Sequence, residues 1–358
     1  MRIVVNNIAA SQTGALTILK SFYDYVDCYE KEHEWIFLLG APYLEEKEHI
    51  KVEVLEKVKR NWLNRLTFDL WNGKNYIKKW NPDVVFSLQN TITFGYKGRQ
   101  IVYVHQPLGF QKVKKFSFLK KKEREYAVYQ YLIGSLINAS IKRADKTIVQ
   151  TKWMRDAILD KTGMDHEKIV NILPDIEDKY CPKEEEEEAF DNHLFFFPSG
   201  DILYKNHETV VKACQILNKK GYKDFQVLFT LKDLKSVTDI SYDSGHGNIV
   251  CAGKLMPEEL FSFYRKGTLI FPSYIETLGL PLIEGKMAGS MILASHCPFC
   301  LEILEGYENV KYFEPFDQET LAAYMEDIMT GRLKRKKSKA ENRGKDKSSW
   351  FYVVKELM

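Results

Sequence analysis

The stretch "SYIETLGLPLIEGKMAGSMILAS", residues 273–295, decides the fold because it places a turn, a helix start and a strand in close succession. The apolar run "TLIF" just before it, residues 268–271, is typical of a buried strand. Gly279 and Pro281 are poor residues inside a helix but common at its start, so a helix is predicted to begin there. "MILA" then predicts a second strand. Strand, turn, helix and strand together predict a βαβ unit.

Two glutamates flank the predicted helix start. Glu276 falls in the turn after the strand, and Glu284 falls one turn into the helix. Ligands of α/β sheets bind at the carboxyl ends of the strands, and the free N–H groups at a helix start attract anions. The pattern therefore predicts one ligand bordered by both carboxylates, with hydroxyl groups bound by a carboxylate and a phosphate bound by the amides.

Length and composition predict two folded domains with different partners. The chain has 358 residues, of which 45% are hydrophobic and 13% aromatic, enough for well-formed cores. The formal net charge of +3 hides an asymmetry: residues 1–175 carry 28 Lys and Arg against 20 Asp and Glu. The first part of the chain is therefore basic and the remainder acidic.

The ends and the cysteines predict a cytoplasmic protein. The opening residues "MRIVVNNIAASQTG" show no secretory signal. The longest uncharged stretch, residues 126–141, is shorter than the roughly 20 apolar residues of a spanning helix. The six cysteines are scattered apart from one pair, which favours a reduced compartment.

Near-continuous apolar runs alternate with helical patterns through residues 1–175, which predicts a doubly wound parallel sheet. The first helix is predicted to open at Thr13-Gly14. The predicted strands are 2–7, 34–40, 51–56, 83–89, 100–106 and 146–151, and the main predicted helices are 62–80, 123–143 and 152–161.

A second alternating series is predicted over residues 193–335, after a linker over 176–192 whose acidic run 184–188 is expected to be solvated. Residues 336–358 are predicted to be a polar connector followed by a helix with an N-terminal Ser pair, too short to fold alone. The strands of the second series are predicted at 193–199, 225–230, 248–253 and 268–271, and the helices after Asn206 and over 257–267 and 317–330. The expected architecture is two such domains facing a cleft.

Three further residues are candidates for the cleft. Gly14 lies in the first βα turn, where a backbone without a side chain can approach a phosphate or a sugar, although an ordinary turn glycine explains it equally well. His105 ends a strand in "YVHQP", and a lone histidine is more often structural. Lys205, in "PSGDILYKNHE", precedes a helix and suits a diphosphate.

At this point the sequence resembles glycosyltransferase family 4. "PSYIETLGLPLIEGKMAG" is similar to that family's E-x7-E signature, with agreement at Ser273, Glu276, Gly279, Leu280, Pro281, Glu284, Met287, Ala288 and Gly289. "YKNHETVVKA" resembles its K-N segment, "ADKTIVQTKWMRDAIL" its helix before the domain crossing, and "CAGKLMPEELFSFYRKG" the stretch that lines the nucleobase. The resemblance spans nearly the whole chain.

The resemblance implies a GT-B fold, two facing Rossmann-like domains with a C-terminal helix that crosses back to the first. It implies transfer of a sugar from a nucleotide diphosphate sugar, with retention at the anomeric carbon and without a metal or other cofactor. Lys205 would neutralise the leaving diphosphate, Glu276 would bind donor-sugar hydroxyls, Glu284 the ribose, and His105 the sugar. The remaining implied donor contacts are Gly14, Ser199, Lys254, Leu255, Thr277, Leu278 and Gly279.

The sequence departs from the family at two places. Gly200 stands where the family has an Arg, so a second charge on the diphosphate would come from Lys254 or Arg265, or be missing. Thr277 and Leu278 replace a common Gly-Phe pair and put the donor sugar in doubt. "CPFC", residues 297–300, supplies two thiols without further ligands nearby, so a redox or zinc site is not favoured. The resemblance implies an ordinary loop at these residues.

The segment "FQKVKKFSFLKKKERE", residues 110–125, interleaves seven basic residues with large apolar ones. A solvated face and a nucleic-acid surface are alternatives. On the acceptor domain we favour an anionic membrane surface on the inner face of the cell membrane, without nucleic acid. The lysines of this membrane or acceptor face are Lys114, Lys115, Lys120 and Lys121.

The sequence thus predicts a retaining glycosyltransferase that acts on a glycan or lipid-linked acceptor in cell-surface polysaccharide assembly. Residues 1–175 would bind the acceptor and residues 193–335 the nucleotide sugar. Two alternatives stay open: a nucleotide-sugar 2-epimerase on the same architecture, and a catalytically silent subunit that binds nucleotide. The absence of the family Arg favours the second, whereas Lys205 and both glutamates oppose it.

Overall fold

The computed structural model describes residues 1–10, 13–175, 189–238, 248–336 and 347–358. The acidic run 184–188 and most of the predicted linker and connector lie outside the described residues. Within the described part, two separate sheets are present, and every strand-to-strand ladder in them is parallel.

The first sheet has the strand order β3-β2-β1-β4-β5-β6-β7, which is a doubly wound arrangement. The strands are added toward one edge up to β3 and toward the other edge from β4 onward, so the order switches between the neighbours β1 and β4. Its inner strands are almost wholly buried because helices cover both faces, which explains their continuous apolar runs, whereas the two edge strands are partly exposed. The strands are β1 Arg2–Asn7, β2 Glu34–Leu39, β3 Ile50–Val54, β4 Val84–Ser87, β5 Arg99–Val104, β6 Lys146–Val149 and β7 Ile169–Asn171.

Short helical pieces connect these strands. Two π-helical turns, Phe68–Asn72 and Val128–Ile133, interrupt the long helices predicted over 62–80 and 123–143. The α-helices are α1 Thr13–Tyr29, α2 Glu56–Lys59, α3 Trp62–Thr67, α4 Gly73–Lys78, α5 Arg124–Ala127, α6 Gly134–Arg143 and α7 Lys152–Thr162.

The second sheet repeats the same topology in the order β10-β9-β8-β11-β12-β13. Its strands are β8 Leu194–Phe197, β9 Gln226–Phe229, β10 Ile249–Cys251, β11 Thr268–Phe271, β12 Met291–Ser295 and β13 Val310–Phe313. Its α-helices are α8 His207–Lys219, α9 Pro257–Lys266, α10 Leu280–Met287, α11 Pro298–Ile303 and α12 Gln318–Met329. The βαβ unit β11-α10-β12 confirms the structure predicted for residues 268–295.

The last helix, α13 Ser349–Leu357, packs on the first domain as predicted. The Trp350 ring lies 5.0 Å from the Phe22 ring between centroids. Arg99 donates hydrogen bonds to the backbone carbonyls of Glu356, Leu357 and Met358. A cation at a helix C-terminus satisfies carbonyls that the helix itself leaves unpaired. The predicted GT-B architecture, with a C-terminal helix crossing back, is confirmed.

The loop predicted at "CPFC" is wrong, because Pro298 opens α11 there. Pro at the first helical position loses no hydrogen bond and presets the helical φ, so a short helix forms directly after Cys297. Strands β7 and β13 were not predicted. Both lie at the edge of their sheet and are only partly buried, so neither carries a continuous apolar run.

Candidate active site

Lys205 and Glu276 form an ion pair at the carboxyl edge of the second sheet. Each side chain is 16% exposed, so the pair is largely buried but still reaches solvent. Lys205 ends a 3₁₀ turn, and Asn206 follows in the left-handed region with φ 62°. The Asn206 amide donates to Pro272 O at 3.2 Å, and Tyr274 N donates to Tyr204 O at 3.1 Å. These bonds tie the two loops together and bring both residues to one place.

The turn Thr277–Gly279 follows Glu276 directly and leads into α10. Gly279 has φ 75°, a conformation that residues with a Cβ adopt at a cost, which explains why glycine stands there. Among the described residues, the N–H groups of Leu278 and Gly279 have no hydrogen-bond acceptor. Free amides at a helix start form an anion-binding position beside Lys205. The turn therefore offers donors for an anion, and the phosphate position predicted from the sequence stays a prediction.

Glu284 lies one turn into α10 and accepts a hydrogen bond from Tyr264 Oη at 2.6 Å. Burial raises the pKa of Glu284 above its usual range, and the bond from Tyr264 partly offsets that effect. Burial and the Glu284 carboxylate raise the pKa of Tyr264 well above its ordinary value, so the phenol stays protonated and remains a donor. Tyr264 therefore orients this carboxylate.

Ser199 begins the loop that carries Lys205, and His207 fixes it. The Ser199 hydroxyl lies 2.7 Å from His207 Nε2, and Ser199 N donates to Thr230 Oγ1 at 2.9 Å. The His207 ring packs between the rings of Phe197 and Phe229. Burial, assisted by the nearby Lys205 charge, lowers the pKa of His207 to about 3, so the ring is neutral.

The two candidates for the missing Arg charge lie at different places. Lys254 and Leu255 follow β10 at the carboxyl edge, where Lys254 is exposed, yet β10 is three strands from β11. Arg265 lies in the last turn of α9, which runs back to the amino edge of the sheet, so it is placed away from the Lys205 pair. A Cβ on Gly200 would meet no atom within 4 Å, so packing does not exclude an arginine there.

His105 lies at the carboxyl end of β5 in the first domain. The backbone N–H of His105 donates to Asn90 Oδ1 at 2.7 Å. The buried ring nitrogen Nδ1 of His105 has no hydrogen-bond partner. Burial lowers the pKa of His105 to about 4, so the ring is neutral near pH 7. Gly14 is the second residue of α1. The structure puts both at the edge where ligands of such sheets bind, but it shows no contact between His105 and the Lys205 pair.

The basic segment of the first domain is only partly an exposed face. Lys114 does not belong to it: its side chain is 28% exposed, and it pairs with Glu123 at 3.2 Å. Lys120 is 72% exposed and lies 3.6 Å from the same carboxylate. Lys115, Lys121 and the neighbouring Lys122 are exposed. Leu119 is 91% and Phe118 45% exposed among them.

The cysteines of "CPFC" are buried. Burial raises the pKa of Cys297 to about 11 and that of Cys300 well above its ordinary value, which opposes formation of a thiolate. No group of three or more metal-ligating side chains occurs in the described residues. In the same residues, no helix is long and apolar enough to cross a membrane.

Sequence reasoning missed the residues that hold the site in place. Tyr264, His207 and Asn90 position Glu284, Ser199 and His105, respectively, and each contact joins elements that are distant in the chain or in different loops. Tyr264 and His207 lie within the quoted family-like stretches, but their partners follow only from the packing.

Two parallel-sheet domains of this topology match the GT-B fold. The family model described as "Glycosyl transferases group 1" matches residues 182–346, which include Lys205, Glu276 and Glu284 but not His105 or Gly14. The resemblance to a glycosyltransferase is confirmed at the level of that group.

Relatives agree with this assignment. The serotype-specific mannosyltransferase WbdA of Escherichia coli is 22% identical over 208 residues, 54% of this chain and 25% of that protein. The chain thus spans about a quarter of the length of this curated relative.

Solved structures of low identity share the fold. The lipopolysaccharide outer core galactosyltransferase WaaB has a TM-score of 0.58 at 15% identity and covers 93% of this chain and 92% of its own. The Anabaena protein HepE in complex with UDP-glucose has a TM-score of 0.61 at 15% identity, covering 93% and 91%. WaaG, a glycosyltransferase involved in lipopolysaccharide biosynthesis, has a TM-score of 0.62 at 14% identity, and the match covers 92% of this chain and 91% of WaaG.

Proposed function

We propose that this protein is a retaining glycosyltransferase of family 4 that moves a sugar from a nucleotide diphosphate sugar to a glycan or lipid-linked acceptor. The observation that carries the proposal is the contact of Lys205 with Glu276 directly beside the free amides of Leu278 and Gly279. A cation, a carboxylate and an anion-binding helix start within one edge match a donor that carries phosphates next to a sugar.

Each side chain takes one part of the donor in this proposal. Lys205 and the two amides bind the diphosphate and stabilise the negative charge that grows on it as the sugar leaves. Glu276 accepts hydrogen bonds from sugar hydroxyls, and Glu284, oriented by Tyr264, accepts them from the ribose. His105, neutral at pH 7, contacts the sugar from the first domain.

Charge neutralisation by Lys205 and the helix amides is the basis for proposing that no metal is required. Preorganised donors of this kind stabilise transition-state charge without an ion. The remaining implied donor contacts, namely Gly14, Ser199, Lys254, Leu255 and Thr277, are proposed on the family resemblance.

We also propose that the first domain meets an anionic membrane surface from the cytoplasmic side, where a lipid-linked acceptor would lie. Phe118 and Leu119 supply exposed apolar side chains, and the Phe118 ring packs 5.7 Å from the Tyr131 ring. The lysines of this face are Lys115, Lys120, Lys121 and Lys122. Apolar side chains surrounded by lysines suit a headgroup layer, where each basic residue contributes about 1 kcal/mol.

The test is a screen of nucleotide sugars by thermal shift, followed by transfer with the donor that stabilises the protein. UDP-glucose and nucleotide diphosphate forms of galactose and mannose are the first donors to examine, because the named relatives are a protein with UDP-glucose bound, a galactosyltransferase and a mannosyltransferase. Proton NMR of the product then gives the anomeric configuration. Inversion would contradict retention, conversion of donor without acceptor would favour the 2-epimerase, and binding without turnover would favour a silent subunit.

A further inference from the structure

The carbonyl of Thr277 is held from the first domain. Thr151 Oγ1 donates to Thr277 O at 3.0 Å, and Trp153 Nε1 donates to the same oxygen at 2.9 Å. A carbonyl oxygen has two lone pairs, so these two donors occupy both. Neither donor belongs to the domain that carries the oxygen.

The same peptide unit carries the amide assigned to the donor phosphate. The carbonyl of Thr277 and the N–H of Leu278 share one planar peptide, and in a trans peptide they point in opposite directions. No cis peptide bond occurs among the described residues. Fixing the carbonyl toward Thr151 and Trp153 therefore fixes the direction of the Leu278 N–H on the other side. Hydrogen bonds to a carbonyl also polarise the peptide and strengthen its N–H as a donor.

Contacts with the second domain fix the positions of Thr151 and Trp153. Thr151 stands at the N-cap of α7, where its hydroxyl would ordinarily accept a bond from its own helix, yet it makes no such bond. The Glu302 carboxylate of the second domain caps the helix instead, accepting hydrogen bonds from Lys152 N and Trp153 N at 2.8 Å each. The Trp153 ring lies 6.3 Å from that of Phe299, also in the second domain.

We propose that Trp153 and Thr151 are positioning residues that set the Leu278 amide for the donor diphosphate from the opposite domain. The inference rests on the proposed function and adds to it two residues outside the E-x7-E stretch. Since neither side chain contacts the place of the phosphate itself, their effect passes through one peptide. It should therefore appear in phosphate binding and leave nucleoside binding unchanged.

The test compares Trp153→Phe and Thr151→Val, which remove one donor each and keep most of the side-chain volume, with Thr151→Ser, which keeps the hydroxyl. Calorimetry measures the affinity of each variant for UDP, GDP and ADP. Saturation-transfer NMR measures its affinity for the corresponding nucleosides. We expect Trp153→Phe and Thr151→Val each to lower the affinity for the diphosphate about fivefold, the effect of losing one hydrogen bond. Nucleoside affinity and the unfolding midpoint should stay near wild type, and Thr151→Ser should bind like wild type.

The outcomes separate the inference from the function on which it rests. Wild-type diphosphate affinity in both Trp153→Phe and Thr151→Val, or equal losses for diphosphate and nucleoside, would overturn the positioning role and leave the proposed function standing. If the wild-type protein bound none of the three diphosphates, the proposed function and the inference would fall together.

Discussion

Lys205 and Glu276, 71 residues apart in the chain, form an ion pair in which each side chain is 16% exposed. The family resemblance gives them different parts of the donor, the phosphate and the sugar. Each charge neutralises the other in this pair, so a phosphate bound by Lys205 would compete with Glu276 for the ammonium group. Removing either partner would leave the other as an unpaired, largely buried charge.

Lys205→Ala should lower turnover by a factor on the order of 10² or more, with a smaller loss of nucleotide affinity, because the charge it faces grows in the transition state. Steady-state kinetics with the donor found in the screen measure both effects. Lys212→Ala, on the exposed side of α8, serves as the control. The variant Lys205→Ala with Glu276→Gln shows how much of the loss comes from the unpaired Glu276. Turnover near wild type in Lys205→Ala would mean that another group neutralises the phosphate.

Glu284→Ala should weaken nucleotide binding, whereas Glu276→Ala should mainly reduce transfer. The two carboxylates lie on opposite sides of the turn Thr277–Gly279, so they reach different ends of the donor. Loss of a ribose contact raises the apparent donor constant with little change in turnover. Tyr264→Phe should repeat the Glu284 effect in weaker form, since it removes the bond that orients this carboxylate. Matching kinetic defects in the two Glu variants would refute this division.

His207 should make the protein less stable as the pH falls from about 6.5 toward 4. Burial lowers the folded-state pKa of His207 to about 3. Over this range the unfolded chain therefore takes up a proton that the folded protein does not. The free energy of unfolding should fall by about 1.4 kcal/mol per pH unit through this histidine. In urea titrations, the stability advantage of wild type over His207→Gln should shrink as the pH falls, and a gap that is constant with pH would contradict the expectation.

Sedimentation with anionic liposomes should carry down the wild-type protein, and the bound fraction should fall with salt because the attraction acts within a Debye length. Changing Lys115, Lys120, Lys121 and Lys122 to Gln should release it while transfer to a short soluble acceptor persists. The matched control changes four exposed lysines of the second domain, Lys219, Lys223, Lys232 and Lys235. Equal sedimentation with neutral and anionic vesicles, or none with either, would rule out the membrane surface.

The sequence could predict the elements of this fold and the edge where the site lies, because strands buried on both faces and a glycine-proline helix start leave strong local patterns. It could not predict that Lys205 pairs with Glu276, or that Lys114 turns inward to Glu123, since both depend on how loops pack. For the same reason the role of Trp153 could not be predicted, because its partner Thr277 is 124 residues away and in the other domain. The loop at residues 297–300, which the family resemblance implied, was wrong because Pro298 starts a short helix there.

The most direct measurement of the central claim is a crystal structure of the protein with the nucleoside diphosphate that stabilises it. The account predicts phosphate oxygens within hydrogen-bond distance of Lys205 Nζ and of the Leu278 and Gly279 N–H groups, with the ribose on Glu284. It also predicts that Lys205 leaves Glu276 for the phosphate. A nucleotide seated elsewhere, or phosphates turned away from Lys205 with its pair to Glu276 intact, would contradict it.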